Sequence, residues 1–197
     1  MRLLTVVTFA ALLLVSSTTV AGEDSYWVRE MKRVILNAAD DYMRYVESWG
    51  NVTILPSGMG MNILQRGHGD VAPGPNDSCL IRYTGMYRFP GVFEDTRQYP
   101  FPVRRTPSQM IQGVGEALQY MREGDRWFLY VPYRLAYGRE GNATLKIQPY
   151  MNLRYDLEVV SCDAPSGKKS AEIDAFLEPL LKRPMPSKTP KIDWEKL

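Results

Sequence analysis

Histidine is almost missing from this 197-residue chain: the one copy, His68, sits between two glycines in Gly67-His68-Gly69 and reads as a loop residue. That scarcity argues against a His-based catalytic triad and against a multi-histidine metal site. A Gly-rich phosphate loop, a Cys-x-x-Cys pair and a His-Glu-x-x-His helix are also absent. If the protein is an enzyme, it works without a nucleophile, a metal or a cofactor. Charge of one sign is missing too, since 24 Lys and Arg stand against 22 Asp and Glu, with Arg2 in the leader. A nearly neutral chain gives no electrostatic ground for binding nucleic acid.

Long hydrophobic runs are confined to one place. Arg2, the apolar stretch Leu3 to Val15 and the small-residue end Thr19-Val20-Ala21 have the layout of a secretory signal peptide cut after Ala21. A membrane anchor is the competing reading, but the apolar run is shorter than the roughly 20 residues a spanning helix needs. Residues 1–21 are therefore expected to be a signal peptide, with no membrane span after cleavage. The destination is the secretory pathway, secreted or lumenal, although the final Trp194-Glu195-Lys196-Leu197 is not a KDEL-type retention signal. Sequons at Asn51, Asn76 and Asn142 become glycosylation candidates in that setting. The remaining ~175 residues suit one domain with extensions.

Residues 22–50 are expected to form a long amphipathic helix. Trp27, Met31, Val34, Ile35, Ala38, Tyr42, Tyr45 and Val46 recur at helical spacing, Glu23, Asp24 and Ser25 supply a capping start, and Gly50 a stop. Its generous apolar stripe either packs on its own domain or projects to make a homodimer. From residue 51 to 163 the pattern changes to short alternating runs punctuated by Gly and Pro: Met59 to Gln65, Ser78 to Tyr87, Trp127 to Pro132 and Leu153 to Cys162. Between them Met110, Ile111, Val114, Leu118 and Met121 keep helical spacing over Pro107 to Met121, weakened by Gly113 and Gly115. Antiparallel strands with a single short helix between them suggest an α+β fold, a curved sheet wrapped around one helix. Residues 164–197 form a C-terminal extension: Ala171 to Leu181 suits a short helix interrupted by Pro179, followed by a Pro/Lys-rich tail.

Within Ile81 to Thr96 (IRYTGMYRFPGVFEDT), counting by two puts Cys79, Ile81 and Tyr83 on one strand face. Tyr83 thus points inward, and a buried phenol needs a partner or a cavity. Cys79 and Cys162 lie near the start of one strand and the end of the last. Strict alternation from Tyr155 turns Cys162 away from the core, whereas a β-bulge at Val159-Val160 would return it. A disulfide and two buried thiols both remain open.

The ordered phrases RYTGM, VFEDT, PFPV, MIQGVGEALQYMREGDRWFLYVP, LAYG and LRYDLEVVSC resemble FKBP-type peptidyl-prolyl cis-trans isomerases over roughly Thr53 to Cys162. LPSGM and LQYMREGDRWFLYVPYRLAYG, with a leader and a long helix in front, are similar to the macrophage infectivity potentiator branch. The resemblance implies a five-stranded antiparallel sheet around one short helix, and an aromatic pocket that takes the proline ring of a polypeptide or a macrolide inhibitor. The matching catalytic positions are Tyr83, Phe93, Glu94, Tyr137 and Tyr155. Those that would line the substrate site are Phe101, Met110, Ile111, Val114 and Ile147. Three departures accompany the match. The pocket carboxylate is either Glu94 or its neighbour Asp95; Val114 stands where the family commonly has tryptophan, leaving a roomier floor; and the loop after Tyr137-Gly138 reads REGNATLKIQP, which leaves the alignment of Ile147 open.

Overall fold

The computed structural model describes residues 26–182. The signal peptide expected over 1–21 and the tail from residue 183 lie outside the described residues. Two compact units divide the chain, residues 1–34 and 35–197. The described part of the first is the opening of helix α1 (Tyr26–Glu47), where Trp27 is 74% exposed and Met31 65%.

The second unit carries the rest of α1 and then β1 (Thr53–Ile54), β2 (Gly60–Gln65), β3 (Cys79–Tyr87), β4 (Val92–Asp95), β5 (Val103–Arg105), α2 (Gln112–Leu118), β6 (Arg126–Val131), β7 (Leu153–Cys162) and α3 (Ser170–Leu181). The strands form one antiparallel sheet in the order β1-β2-β6-β7-β3-β4, with β5 also beside β3. Along one edge β3 pairs with β7 from Cys79↔Cys162 to Tyr87↔Leu153. Along its other edge it meets β5 at Cys79 to Ile81 and β4 at Thr84 to Met86. β4 and β5 therefore share one position in the sheet. Together with the two-residue β1, that split turns the five expected strands into seven among the described residues. The interruption falls at Tyr99 to Pro102, where Pro100 and Pro102 have no N–H to give to a ladder.

The β3–β7 register shifts between Leu80, which faces Ser161, and Ile81, which faces Val159. Val160 is thus the extra residue of a bulge, and it brings Cys162 back beside Cys79. The two form a disulfide, with Cα atoms 4.0 Å apart.

The helix expected over Pro107 to Met121 is shorter than its apolar spacing suggests. A 3-10 turn occupies Pro107–Gln109, Met110 and Ile111 are extended, and only Gln112–Leu118 is α-helical. Gly113 explains how close α2 comes to the sheet: a Cβ there would lie 2.6 Å from Cγ1 of Val131. The helix weakens its own propensity to gain that approach. Val114, Leu118 and Met121 are fully buried in the core cluster that also holds Trp127, Leu129 and Leu157. Side chains of that size contribute roughly 1.5–3 kcal/mol each on burial.

From Ile35 onward, α1 is tied to the sheet. Asn152, 1% exposed, donates through Nδ2 to the Ala39 carbonyl at 2.7 Å and accepts the Tyr133 N–H at 2.8 Å. Arg88 donates to the Ala38 carbonyl at 2.8 Å, and Arg134 pairs with Asp40 at 3.2 Å. α3 buries Ile173 and Leu177 and continues through Pro179, which falls in its last turn. Among the described residues no helix is long and apolar enough to cross a membrane.

Candidate active site

The inner face of β3 begins the site. Tyr83 is 2% exposed, and its hydroxyl donates to Oε1 of Glu94 at 2.7 Å. Its backbone is clamped by Thr96, whose hydroxyl accepts the Tyr83 N–H at 2.7 Å and whose N–H reaches the Tyr83 carbonyl at 2.8 Å. The β3–β4 register runs Gly85↔Glu94 and then Met86↔Val92, which makes Phe93 the extra residue of a second bulge. In a regular strand Phe93 and Glu94 would point to opposite faces; the bulge lets both serve the same site. Asp95 is turned elsewhere, accepting from the Thr84 hydroxyl at 2.9 Å and the Arg97 N–H at 3.0 Å. Of the two adjacent carboxylates, Glu94 is the one at the site.

Phe93 lies over Gly85, where an added Cβ would come within 2.6 Å of the ring. Its ring meets Tyr155 edge-on, with centroids 5.8 Å apart and planes at 80°, and Tyr155 lies 6.1 Å from the Tyr83 ring. Tyr87 packs on the other side of Phe93 at 5.4 Å, and its hydroxyl donates to the Leu145 carbonyl at 2.8 Å. That bond pins the loop that carries Ile147, which is 3% exposed and paired through its backbone with Asn142. Tyr87 was not among the residues singled out by motif, although counting Tyr83, Gly85, Tyr87 along one strand face would have found it.

Val114 and Ile147 are buried in the same cluster as Tyr83 and Tyr155, with Met110, Ile111 and Tyr137 half-buried against it. Phe101 is set apart: it is 78% exposed and makes no ring contact with the others. The Tyr137 hydroxyl and the Ile111 N–H have no hydrogen-bond partner among the described residues. Both are therefore free to bind a ligand.

The electrostatics keep these phenols neutral. Burial is the main cause that raises Tyr83, with the hydrogen bond to Glu94 adding to it. Burial likewise raises Tyr155 and Tyr137, each further raised by the charge of Glu94. Among the described residues no group of three or more His, Cys, Asp or Glu could hold a metal ion.

An antiparallel sheet with a short helix packed on it thus carries a cluster of tyrosines and apolar side chains beside one hydroxyl and one amide donor without a partner among the described residues. Comparison with known proteins gives it a family. Residues 69–160 match the family model described as FKBP-type peptidyl-prolyl cis-trans isomerase. The chain is 36% identical over 163 residues to the macrophage infectivity potentiator of Trypanosoma cruzi, an alignment that covers 82% of this chain and 83% of that protein. It is also 36% identical over 99 residues to the outer membrane protein MIP of Legionella longbeachae, covering 50% of this chain and 42% of that one. A crystal structure of a peptidyl-prolyl cis-trans isomerase from Pseudomonas syringae superposes with a TM-score of 0.61 at 27% identity, over 72% of this chain and 99% of that one. The chain belongs to the FKBP-type peptidyl-prolyl cis-trans isomerases, a family of enzymes, and lies near the macrophage infectivity potentiator branch.

Proposed function

We propose that the protein accelerates cis-trans isomerisation of X-Pro bonds in polypeptides of the secretory pathway, and that Tyr83, Phe93, Tyr155, Val114 and Ile147 wall the pocket for the proline ring. The observation that carries this reading is the pair of unpartnered donors, the Tyr137 hydroxyl and the Ile111 N–H, beside an aromatic cluster.

An X-Pro amide rotates over a barrier near ~20 kcal/mol and needs tens to hundreds of seconds unaided. No bond is made or broken, so the site need only bind the twisted amide better than either planar form. Twisting removes resonance and with it much of the amide's charge separation. An apolar aromatic wall therefore disfavours the planar amide more than the twisted one. The Tyr137 hydroxyl and Ile111 N–H would orient the carbonyls on either side, and Glu94 would hold the Tyr83 ring in place. Macrolides that mimic the twisted amide would compete for the same pocket.

Secretion is supported by the leader and by the Cys79–Cys162 disulfide, which fits an oxidising compartment. Asn51 and Asn76 are exposed, and Asn142 is half-buried at the rim loop. All three are offered as glycan sites. A second reading, a prolyl-binding module or chaperone that dimerises through the N-terminal helix, is favoured by the exposed Trp27 and Met31 on α1. NMR exchange on a short X-Pro-Phe peptide separates the two. Catalysed exchange that a macrolide abolishes supports the enzyme, whereas peptide-induced shifts without catalysis support the module.

A further inference from the structure

Asn142 closes the loop that carries Ile147 into a tight hairpin. Its N–H and carbonyl exchange hydrogen bonds with the Ile147 carbonyl and N–H, both at 2.8 Å, while its side-chain Oδ1 accepts the Leu145 N–H at 3.0 Å. Leu145 is held a second time from β3, since its carbonyl accepts the Tyr87 hydroxyl at 2.8 Å. The Tyr87 ring packs on Phe93 at 5.4 Å and Phe93 meets Tyr155, so direct contacts join the hairpin to the aromatic cluster. Between the clamped Leu145 and the buried Ile147, Lys146 takes a φ of 55°, a left-handed conformation that is costly for any residue but glycine. Such a conformation persists where its surroundings over-determine it.

We infer that the Asn142 carboxamide is a positioning group for the prolyl site: with the Tyr87 hydroxyl it grips Leu145 at both N–H and carbonyl, and so keeps Ile147 on the site before a ligand arrives. The inference rests on the prolyl reading of the aromatic cluster. The backbone bonds of Asn142 survive any side chain. Only Oδ1 is lost in Asn142→Ala, which leaves the Leu145 N–H of a half-buried residue unpaired and the Lys146 turn with one tie fewer. A loop that spends part of its time open must be ordered again on binding, and apparent affinity falls by the fraction of competent molecules. Nδ2, the atom that would carry a glycan, donates to no group among the described residues, so the clamp and the sequon are separable.

The test uses the full chain secreted from a host that glycosylates, with a short X-Pro-Phe peptide followed by calorimetry and by NMR exchange. Asn142→Ala should weaken peptide binding about threefold to tenfold, the range of one hydrogen bond, and lower the exchange rate at saturation much less. Tyr87→Phe should weaken binding similarly. Asn142→Asp keeps an acceptor in place and should restore most of the affinity. Lys146→Gly, added to Asn142→Ala, should restore part of it, because glycine adopts that φ without cost. Thr144→Ala removes the sequon and keeps the clamp, so it should bind as the parent chain does. Undiminished binding by the folded fraction of Asn142→Ala overturns the inference. A loss of the same size in Asn142→Asp or in Thr144→Ala also overturns it, assigning the effect to a glycan. If Asn142→Ala weakens binding while neither it nor the parent catalyses exchange, the isomerase reading falls and the clamp stands. A parent chain that binds no prolyl peptide overturns both.

Discussion

The Tyr83 hydroxyl and the Glu94 carboxylate, 2.7 Å apart, lock one wall of the site from two different strands. A phenol donating to a carboxylate is a charge-assisted bond, worth roughly 1.5–3 kcal/mol. Tyr83→Phe and Glu94→Ala should each destabilise the fold. In a double-mutant cycle by denaturant unfolding they should couple by about 1 kcal/mol or more. Tyr83→Phe keeps the ring, so its loss of kcat/KM should be smaller than that of Tyr83→Ala. Additive effects in the cycle would show that the bond does not hold the wall.

Gly85→Ala tests the seat of the Phe93 ring, since the added methyl would come within 2.6 Å of it. Overpacking of this kind costs about 1–3 kcal/mol. The expected signature is a displaced Phe93 ring, read as altered ring-current shifts on Tyr155, with a larger loss of peptide affinity than of stability. Unchanged shifts would mean that the ring has another place to go.

The site tyrosines predict how stability responds to alkali. Burial raises Tyr83, Tyr137 and Tyr155 above the ordinary value of 10.0, so the folded state keeps protons that the unfolded state releases. Their contribution is fully present below pH 10 and is lost as pH rises beyond it. Tyr42, on α1, is pushed up to about 12 by burial and follows the same sign, losing its contribution between 10 and about 12. Tyrosinate absorbance should therefore rise together with loss of the fold. Ionisation of these groups well before unfolding would contradict the burial.

The Cys79–Cys162 bond closes a loop with a sequence separation of 83. Replacing both cysteines with serine should lower stability by about 2–5 kcal/mol. The Tyr83–Glu94 and Tyr87–Leu145 hydrogen bonds of the site involve neither cysteine, so short-peptide exchange should persist in the surviving folded fraction. A change in denaturation midpoint near zero would show that the bond constrains little.

Much of this protein was legible along the chain. Alternation in Cys79 to Tyr87 and Leu153 to Cys162 identifies β3 and β7 because a half-buried strand must place every second side chain inward. Helical spacing gave α1, and the ordered motifs gave the family. The bulge that alternation left open at Val159-Val160 was settled only by pairing with β3, which decides which residue is supernumerary. Likewise, spacing could not choose between Glu94 and Asp95. That depended on Phe93 bulging out of a four-residue strand whose register is fixed by its partner. The exposure of Phe101, the shortness of α2 and the meeting of Tyr87, Asn142 and Leu145 were hidden for the same reason. Local sequence sets the period of a segment and the side chains it offers. Which of them meet across the sheet, and what they leave open, is set by long-range register and packing that no single segment contains.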